Sequence, residues 1–178
     1  PLVPALAAGN RAMVKMSETT PVTGDLLASL VSKHFDGGEV TIVNGGPEVA
    51  QAFCRLPFDH LLFTGSTGIG RHVLHAAADN LTPVTLELGG KSPAIVGRGF
   101  PVDEAASRVM YGKCLNAGQT CVCTNRFFVH DRVYDAFAAK LVERVRALKV
   151  GPGTEAGVTQ GPLIDTAGLA KVEDHIAD

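Results

Sequence analysis

Four short segments of this sequence carry residue types that can do chemistry. Cys121 closes Asn116-Ala117-Gly118-Gln119-Thr120-Cys121, a glycine-bearing turn after a helical pattern. A thiolate at such a place attacks electrophilic carbon, and even an unperturbed thiol is a few per cent ionised at neutral pH. A Cys between Thr120 and Val122 also suits a small buried hydrophobe, and both readings stand on these residues alone. The second segment is Leu86-Glu87-Leu88-Gly89-Gly90-Lys91. Its two glycines let a ligand or another backbone come close. A carboxylate desolvated in such a pocket gains the raised pKa of a general base. The alternative is a solvent-facing Glu87 on an edge strand.

The third segment, Phe63-Thr64-Gly65-Ser66-Thr67-Gly68-Ile69-Gly70, runs from a strand pattern through a glycine-rich turn into a helix pattern. Backbone amides at such a helix start suit a phosphate. The usual dinucleotide fingerprint would need Gly or Ala at position 73, where the chain has Val73. A nucleotide triphosphatase loop would need Lys and Ser or Thr after Gly70, where Arg71-His72 stands. Gly90-Lys91-Ser92 lacks the leading glycine, because Thr85 holds that place. The fourth segment, Val14-Lys15-Met16-Ser17-Glu18, ends a strand pattern on the side where open α/β sheets bind ligands. Lys15 and Glu18 suit the hydroxyls of an adenine ribose, or an ordinary charged loop.

The elements that must position these residues alternate. Strand patterns at Ala12–Met16, Val40–Val43, Leu61–Thr64 and Val84–Leu88 are separated by helical stretches. These run from Thr20-Pro21 to about Phe35, from Pro47 to about Leu56 and from Thr67 to Ala78. Thr20 is expected to cap the first of them, with Pro21 at its first position. Such alternation predicts parallel βαβ units in a Rossmann-like sheet with helices on both faces. After Gly89-Gly90 come a short strand at Ala94–Val96, a helix from Val102 to about Leu115 and a strand at Phe127–Val129. An amphipathic helix from Tyr134 to Leu148 follows, with Phe137, Leu141, Val145 and Leu148 on one face. A Gly/Pro-rich stretch then leads to a last helix. The expected division is 1–88 as a nucleotide-binding domain and 89–178 as part of a second α/β domain carrying Cys121.

Bulk properties narrow the partners. The chain has 178 residues, 46% hydrophobic, with a net charge of −2. That charge offers no basic field for nucleic acid or an anionic membrane. No apolar run approaches a membrane span. Four cysteines without a secretory leader predict a reduced, cytoplasmic setting. The opening Pro1-Leu2-Val3-Pro4, without Met, reads as a cut inside a longer protein. His72 and His75 lie one helical turn apart but have no third ligand near, so no metal is expected.

Taken together, the four segments resemble the aldehyde dehydrogenase superfamily over essentially the whole chain. Leu86–Lys91 and Gly118–Cys121 resemble its two active-site signatures, with Cys121 lying 34 positions after Glu87. The resemblance implies an NAD(P)-dependent oxidoreductase. Cys121 would add to the aldehyde, oxidation by the nicotinamide would leave a thioester, and Glu87 would activate the hydrolytic water. The Cys121 amide would serve the oxyanion, and the family's Asn donor falls before Pro1. Gly65, Ser66 and Gly70 would meet the pyrophosphate and Lys15 and Glu18 the adenine ribose. Ile69, Leu88 and Gly89 would complete the cofactor contacts. A carboxylate at Glu18 repels a 2′-phosphate, so NAD is expected over NADP. The full-length family member is expected to be a homo-oligomer.

The resemblance has two flavours. Up to about Thr120, phrases such as Gly9–Glu18 and Leu81–Glu87 resemble coniferyl aldehyde dehydrogenases. From Cys121 onward, Cys121–Arg126, Gly161–Asp165 and Lys171–Asp178 resemble succinate-semialdehyde dehydrogenases. The latter place an Arg six residues before the nucleophile to pair with the substrate carboxylate, where this chain has Leu115. An apolar or aromatic aldehyde is therefore expected, with succinate semialdehyde as the alternative. The resemblance also offers Cys123 as a redox partner, against a plain packed thiol. A cysteine-dependent acyl transferase and a fragment that only binds NAD are the competing functional readings.

Overall fold

The computed structural model describes residues 1–177. Its elements are α1 (Leu2–Ala7), β1 (Ala12–Lys15), α2 (Pro21–His34), β2 (Val40–Val43), α3 (Pro47–Cys54), β3 (Leu61–Thr64), α4 (Thr67–Ala78) and β4 (Val84–Glu87). After these come β5 (Ser92–Val96), α5 (Val102–Cys114), a 3-10 turn at Leu115–Gly118, β6 (Thr124–Val129), α6 (Asp131–Arg146) and α7 (Thr166–Ala177). Contacts group the chain into two units, Pro1–Glu87 and Leu88–Asp178.

In the first unit the expected strand–helix–strand repeats form. β1 pairs in parallel with β2, Ala12 opposite Val40 through Lys15 opposite Val43. β3 pairs in parallel with β4, Leu61 opposite Val84 through Thr64 opposite Glu87. The strands make two separate two-stranded ladders among the described residues, where one continuous sheet was expected. Alternation reveals which consecutive strands run parallel, but not which ladders join. Leu61 on β3 and Val73 and Ala77 on α4 form the buried cluster, with Phe53, Phe58, Val84 and Leu86 packed around it. Val73 and Ala77 are four residues apart and so share one face of α4. Burying a side chain the size of Val73 stabilises by roughly 1.5–3 kcal/mol.

Local signals met two exceptions here. Thr20 precedes α2 but its hydroxyl makes no capping bond. Its own amide donates to the Ser17 carbonyl at 3.3 Å, in a loop where Ser17 bonds Thr19 instead. The helix α1 has no counterpart among the expected elements, and Pro4 lies inside it. Proline is tolerated in a first turn, where its missing N–H has no helical partner to lose.

In the second unit β5 and β6 pair in parallel, with α5 as their crossover. Val96, Ala105, Ala106, Val109 and Phe137 form the core. The two alanines on α5 leave room for α6, and Phe137 meets Phe127 edge-on at 6.4 Å. Arg144 ties the helices at their rim, with Nη2 2.8 Å from Asp103 Oδ2 and Nε donating to Ser107 Oγ at 3.0 Å. α6 begins three residues before the expected Tyr134. His130 supplies the cap, its Nδ1 accepting from the Arg132 amide at 3.2 Å. Of the expected apolar face, Phe137 and Leu141 join the core while Val145 is exposed.

Candidate active site

Helix α5 ends at Cys114, and the chain then enters an unusual turn. Asn116 (φ 51°, ψ 42°), Ala117 (φ 55°, ψ 29°) and Gly118 (φ 77°) are left-handed in succession. Glycine adopts this region freely and Asn tolerates it, but Ala117 costs roughly 1 kcal/mol or more. Gln119 closes the turn. Its amide donates to the Asn116 carbonyl at 3.0 Å and its Nε2 to the same oxygen at 3.1 Å.

The turn decides the two cysteines that follow. Cys121 is exposed, so it is not the small core hydrophobe that its neighbours Thr120 and Val122 also allowed. Cys123 is only 1% exposed. Its thiol lies against the Thr120 hydroxyl and donates toward the Lys113 carbonyl at 3.6 Å. That is a packed thiol under the turn, pinning it to the end of α5.

The glycines flagged in Leu88-Gly89-Gly90 acquire a specific partner. A Cβ on Gly90 would stand 2.7 Å from the Cys121 carbonyl oxygen. Real Cβ atoms do not sit that close to a backbone atom, so Gly90 is the residue that lets the Cys121 peptide approach. Gly89 has open space around it and is exposed, and Leu88 is half-buried. The Gly90 carbonyl accepts from Asn125 Nδ2 at 3.1 Å, and Asn125 Oδ1 accepts from Lys113 Nζ at 2.8 Å. Beside the turn is a pocket of ≈ 290 Å³, lined by Met110, Tyr111, Cys114 and Leu115 among others.

Within the first unit, the other chemistry gathers at the carboxyl ends of β3 and β4. Gly65 donates its amide to the Glu87 carbonyl at 3.0 Å, so the glycine-rich turn and Glu87 leave adjacent strands side by side. The Glu87 side chain is exposed. Ser66 caps α4, its Oγ accepting from the Ile69 amide at 3.3 Å. Gly70 is buried and its amide already donates to the Ser66 carbonyl at 2.9 Å. Ahead of Gly70 in the first turn, the amides of Thr67 and Gly68 have no helical carbonyl to reach. At the end of β1, Lys15 Nζ stands 2.9 Å from Glu18 Oε2. The hydrogen bond from Lys15, helped by a backbone hydrogen bond and by the ammonium charge, holds the Glu18 carboxyl below its usual range.

Comparison with known proteins identifies the arrangement. The profile of the aldehyde dehydrogenase family matches residues 1–178. The chain belongs to the aldehyde dehydrogenase family. It is 56% identical over 146 residues to a probable coniferyl aldehyde dehydrogenase of Pseudomonas aeruginosa, covering 82% of this chain and 31% of that protein. It is 44% identical over 178 residues to an Escherichia coli succinate-semialdehyde dehydrogenase named for NADP(+), covering 98% of this chain and 37% of that one. The crystal structure of succinate-semialdehyde dehydrogenase from Burkholderia pseudomallei superposes with a TM-score of 0.90 at 46% identity, covering 98% and 37%. The chain thus spans about a third of the length of these relatives.

An aldehyde dehydrogenase of this family uses NAD or NADP, and the residues present fit such a group. An added Cβ on Gly68 would meet nothing within 4 Å, so the first-turn amides of α4 are open to a phosphate. Among the described residues no cluster of metal-ligating side chains occurs and no helix is long and apolar enough to cross a membrane. The sequence reading missed Lys113 and Asn125. Each looks like an ordinary polar position on its own element, and only the fold brings them together with Gly90.

Proposed function

We propose that this chain carries Cys121 as the nucleophile and Glu87 as the general base of an NAD-dependent aldehyde oxidation. The observation that carries the reading is the exposed Cys121, held on a strained turn with its peptide against Gly90. As the thiolate, Cys121 adds to the aldehyde carbon while the carbonyl π electrons move to oxygen, and its own amide is the oxyanion donor in this unit. When bound, the nicotinamide supplies a two-electron acceptor. Glu87 then takes the proton of the water that releases the acid from sulfur. Gly65, Ser66, Ile69 and Gly70 shape the pyrophosphate turn, Lys15 and Glu18 hold the adenine ribose, and Leu88 and Gly89 complete the cofactor contacts. A 2′-phosphate would have to sit beside the Glu18 carboxylate and compete with it for Lys15, which favours NAD.

The substrate follows from Leu115. It lines the pocket beside the turn with Met110, Tyr111 and Cys114, a largely apolar surface without a cation for a carboxylate. An apolar or aromatic aldehyde of the coniferyl type fits that lining better than a semialdehyde acid. The test is NADH formation by the intact protein with coniferyl aldehyde and with succinate semialdehyde, alongside Cys121→Ser. We expect coniferyl aldehyde to be the faster substrate and the variant to lose at least about a thousandfold in kcat. Undiminished turnover in Cys121→Ser would refute the mechanism. Faster turnover of succinate semialdehyde would refute only the substrate.

A further inference from the structure

Three pieces of the second unit converge on the nucleophile turn from outside it, and one side-chain relay joins them. Lys113 is in the last turn of α5, Asn125 is the second residue of β6, and Gly90 follows the Leu88-Gly89 segment. Lys113 Nζ donates to Asn125 Oδ1 at 2.8 Å, and Asn125 Nδ2 donates to the Gly90 carbonyl at 3.1 Å. An Asn amide has two distinct ends, and here both neighbours demand the same orientation. An ammonium can only donate, so it must face the amide oxygen, and a carbonyl can only accept, so it must face the NH₂. Lys113 thereby aims the Asn125 donor at Gly90.

Gly90 in turn is the residue whose backbone abuts the Cys121 carbonyl, as the 2.7 Å approach of a hypothetical Cβ shows. Lys113 also touches the turn directly. Its carbonyl receives the Cys123 thiol, and a Cβ on Gly118 would lie 3.3 Å from that carbonyl and 3.6 Å from Nζ. One lysine therefore covers the left-handed glycine of the turn, receives the thiol beneath it and orients the amide that fixes the segment packed against Cys121.

We propose that Lys113 and Asn125 are positioning residues, a clamp that locks Leu88–Gly90 against the nucleophile turn and so fixes the peptide of Cys121. The clamp rests on Cys121 being the nucleophile. A thiol side chain rotates freely, but the Cys121 carbonyl packed against Gly90 and the Cys121 amide expected to stabilise the oxyanion flank one α-carbon, so holding the first restricts the direction of the second. A shift of about 1 Å in such a donor costs up to about a hundredfold in rate without weakening cofactor binding.

The test uses two near-isosteric variants of the intact protein. Asn125→Asp keeps an oxygen for Lys113 but turns the donor facing Gly90 into an acceptor. Lys113→Met keeps the stem over Gly118 and removes only the ammonium. In both, amide hydrogen exchange over residues 88–91 and 118–122 is expected to quicken about tenfold or more. With coniferyl aldehyde and saturating NAD, kcat should fall by ten- to about a hundredfold. Lys113→Arg, which restores a donor, should recover most of kcat. Unchanged exchange in both variants overturns the clamp, whatever turnover does, and Lys113→Met decides alone if Asn125→Asp does not fold. Faster exchange with undiminished kcat overturns its catalytic purpose. A parent protein that oxidises no aldehyde at all defeats the proposed function instead, and the exchange data then still decide whether the clamp exists.

Discussion

The glycine-rich turn at Gly65–Gly70 and the turn at Asn116–Cys121, proposed to carry the nucleophile, are both short, glycine-bearing and placed at the end of a regular element, yet they are built in opposite ways. The first is assembled from its own neighbours. Ser66 adopts extended backbone (φ −73°, ψ 151°) and caps the helix it precedes, and the chain passes from β3 to α4 without a strained residue. The second contradicts its own local preferences, with Ala117 left-handed between two residues that accept that region more easily. What holds it comes from Gly90, 31 positions upstream of Cys121, and from β6 downstream. A site that offers a ligand its backbone amides needs only a correct cap. A site that must present one side chain from a fixed peptide needs contacts from other elements, and those contacts override local propensity.

The sharpest break of this comparison is Gly90→Ala. The new methyl would stand 2.7 Å from a backbone oxygen, which cannot rotate away. We expect a loss of about 1–3 kcal/mol of stability from overpacking and a fall in kcat at least as large as for Asn125→Asp, read by urea unfolding and by NADH formation. A variant of parental stability and rate would show that the two peptides are not in contact. The opposite sign is expected from Gly68→Ala in the first turn of α4, where the methyl meets nothing within 4 Å. Removing glycine's backbone freedom there should stabilise by roughly 0.5–1 kcal/mol. If this turn holds the pyrophosphate as proposed, the added bulk beside its amides should raise the KM for NAD while kcat with saturating NAD holds. An unchanged KM would remove the cofactor from this turn.

The same contrast explains what was legible in the sequence. Strand–helix alternation and the positions of β2, β3 and α4 follow from period and punctuation, and the structure has them where the residues place them. The cap at Ser66 is a local bond between residues three apart, so its chemistry is written in one short phrase. The parallel ladders were legible, but their separation into β1–β2 and β3–β4 was not, because no residue in a strand names its neighbour across the sheet. At the candidate site, Cys121 and the glycines after Glu87 stood out by type and spacing. Lys113 and Asn125 did not, since their meaning lies in a hydrogen bond across 12 positions and another across 35. Burial bears on the alternatives the sequence left open for each thiol: Cys121 is exposed and Cys123 is buried.

The smallest effect concerns ion pairs that stand away from both turns' backbones, and it sets the scale against which the turn variants are read. Arg144 hydrogen-bonds the Asp103 carboxyl and, with Lys140 nearby, holds it below its ordinary value of 3.8. Lys15 does the same for Glu18, whose ordinary value is 4.5. A carboxyl whose pKa is lower in the folded state than in the unfolded one stabilises the fold while ionised. That contribution is complete above the ordinary values and disappears as pH falls through the depressed ones. Both carboxylates are solvent-exposed pairs, so the effect is small and screened by salt. Melting temperatures of the parent and of Asp103→Asn should therefore differ slightly and by a constant amount from pH 7 down to about pH 5. The two curves should converge once the acid range below 3.8 is entered. A difference that persists undiminished there would mean that Asp103 acts through packing between α5 and α6 rather than through its charge. The Gly90→Ala deficit, being steric, should show no such convergence, and that difference in pH response separates the contacts that hold the nucleophile turn from those that merely trim the helices beneath it.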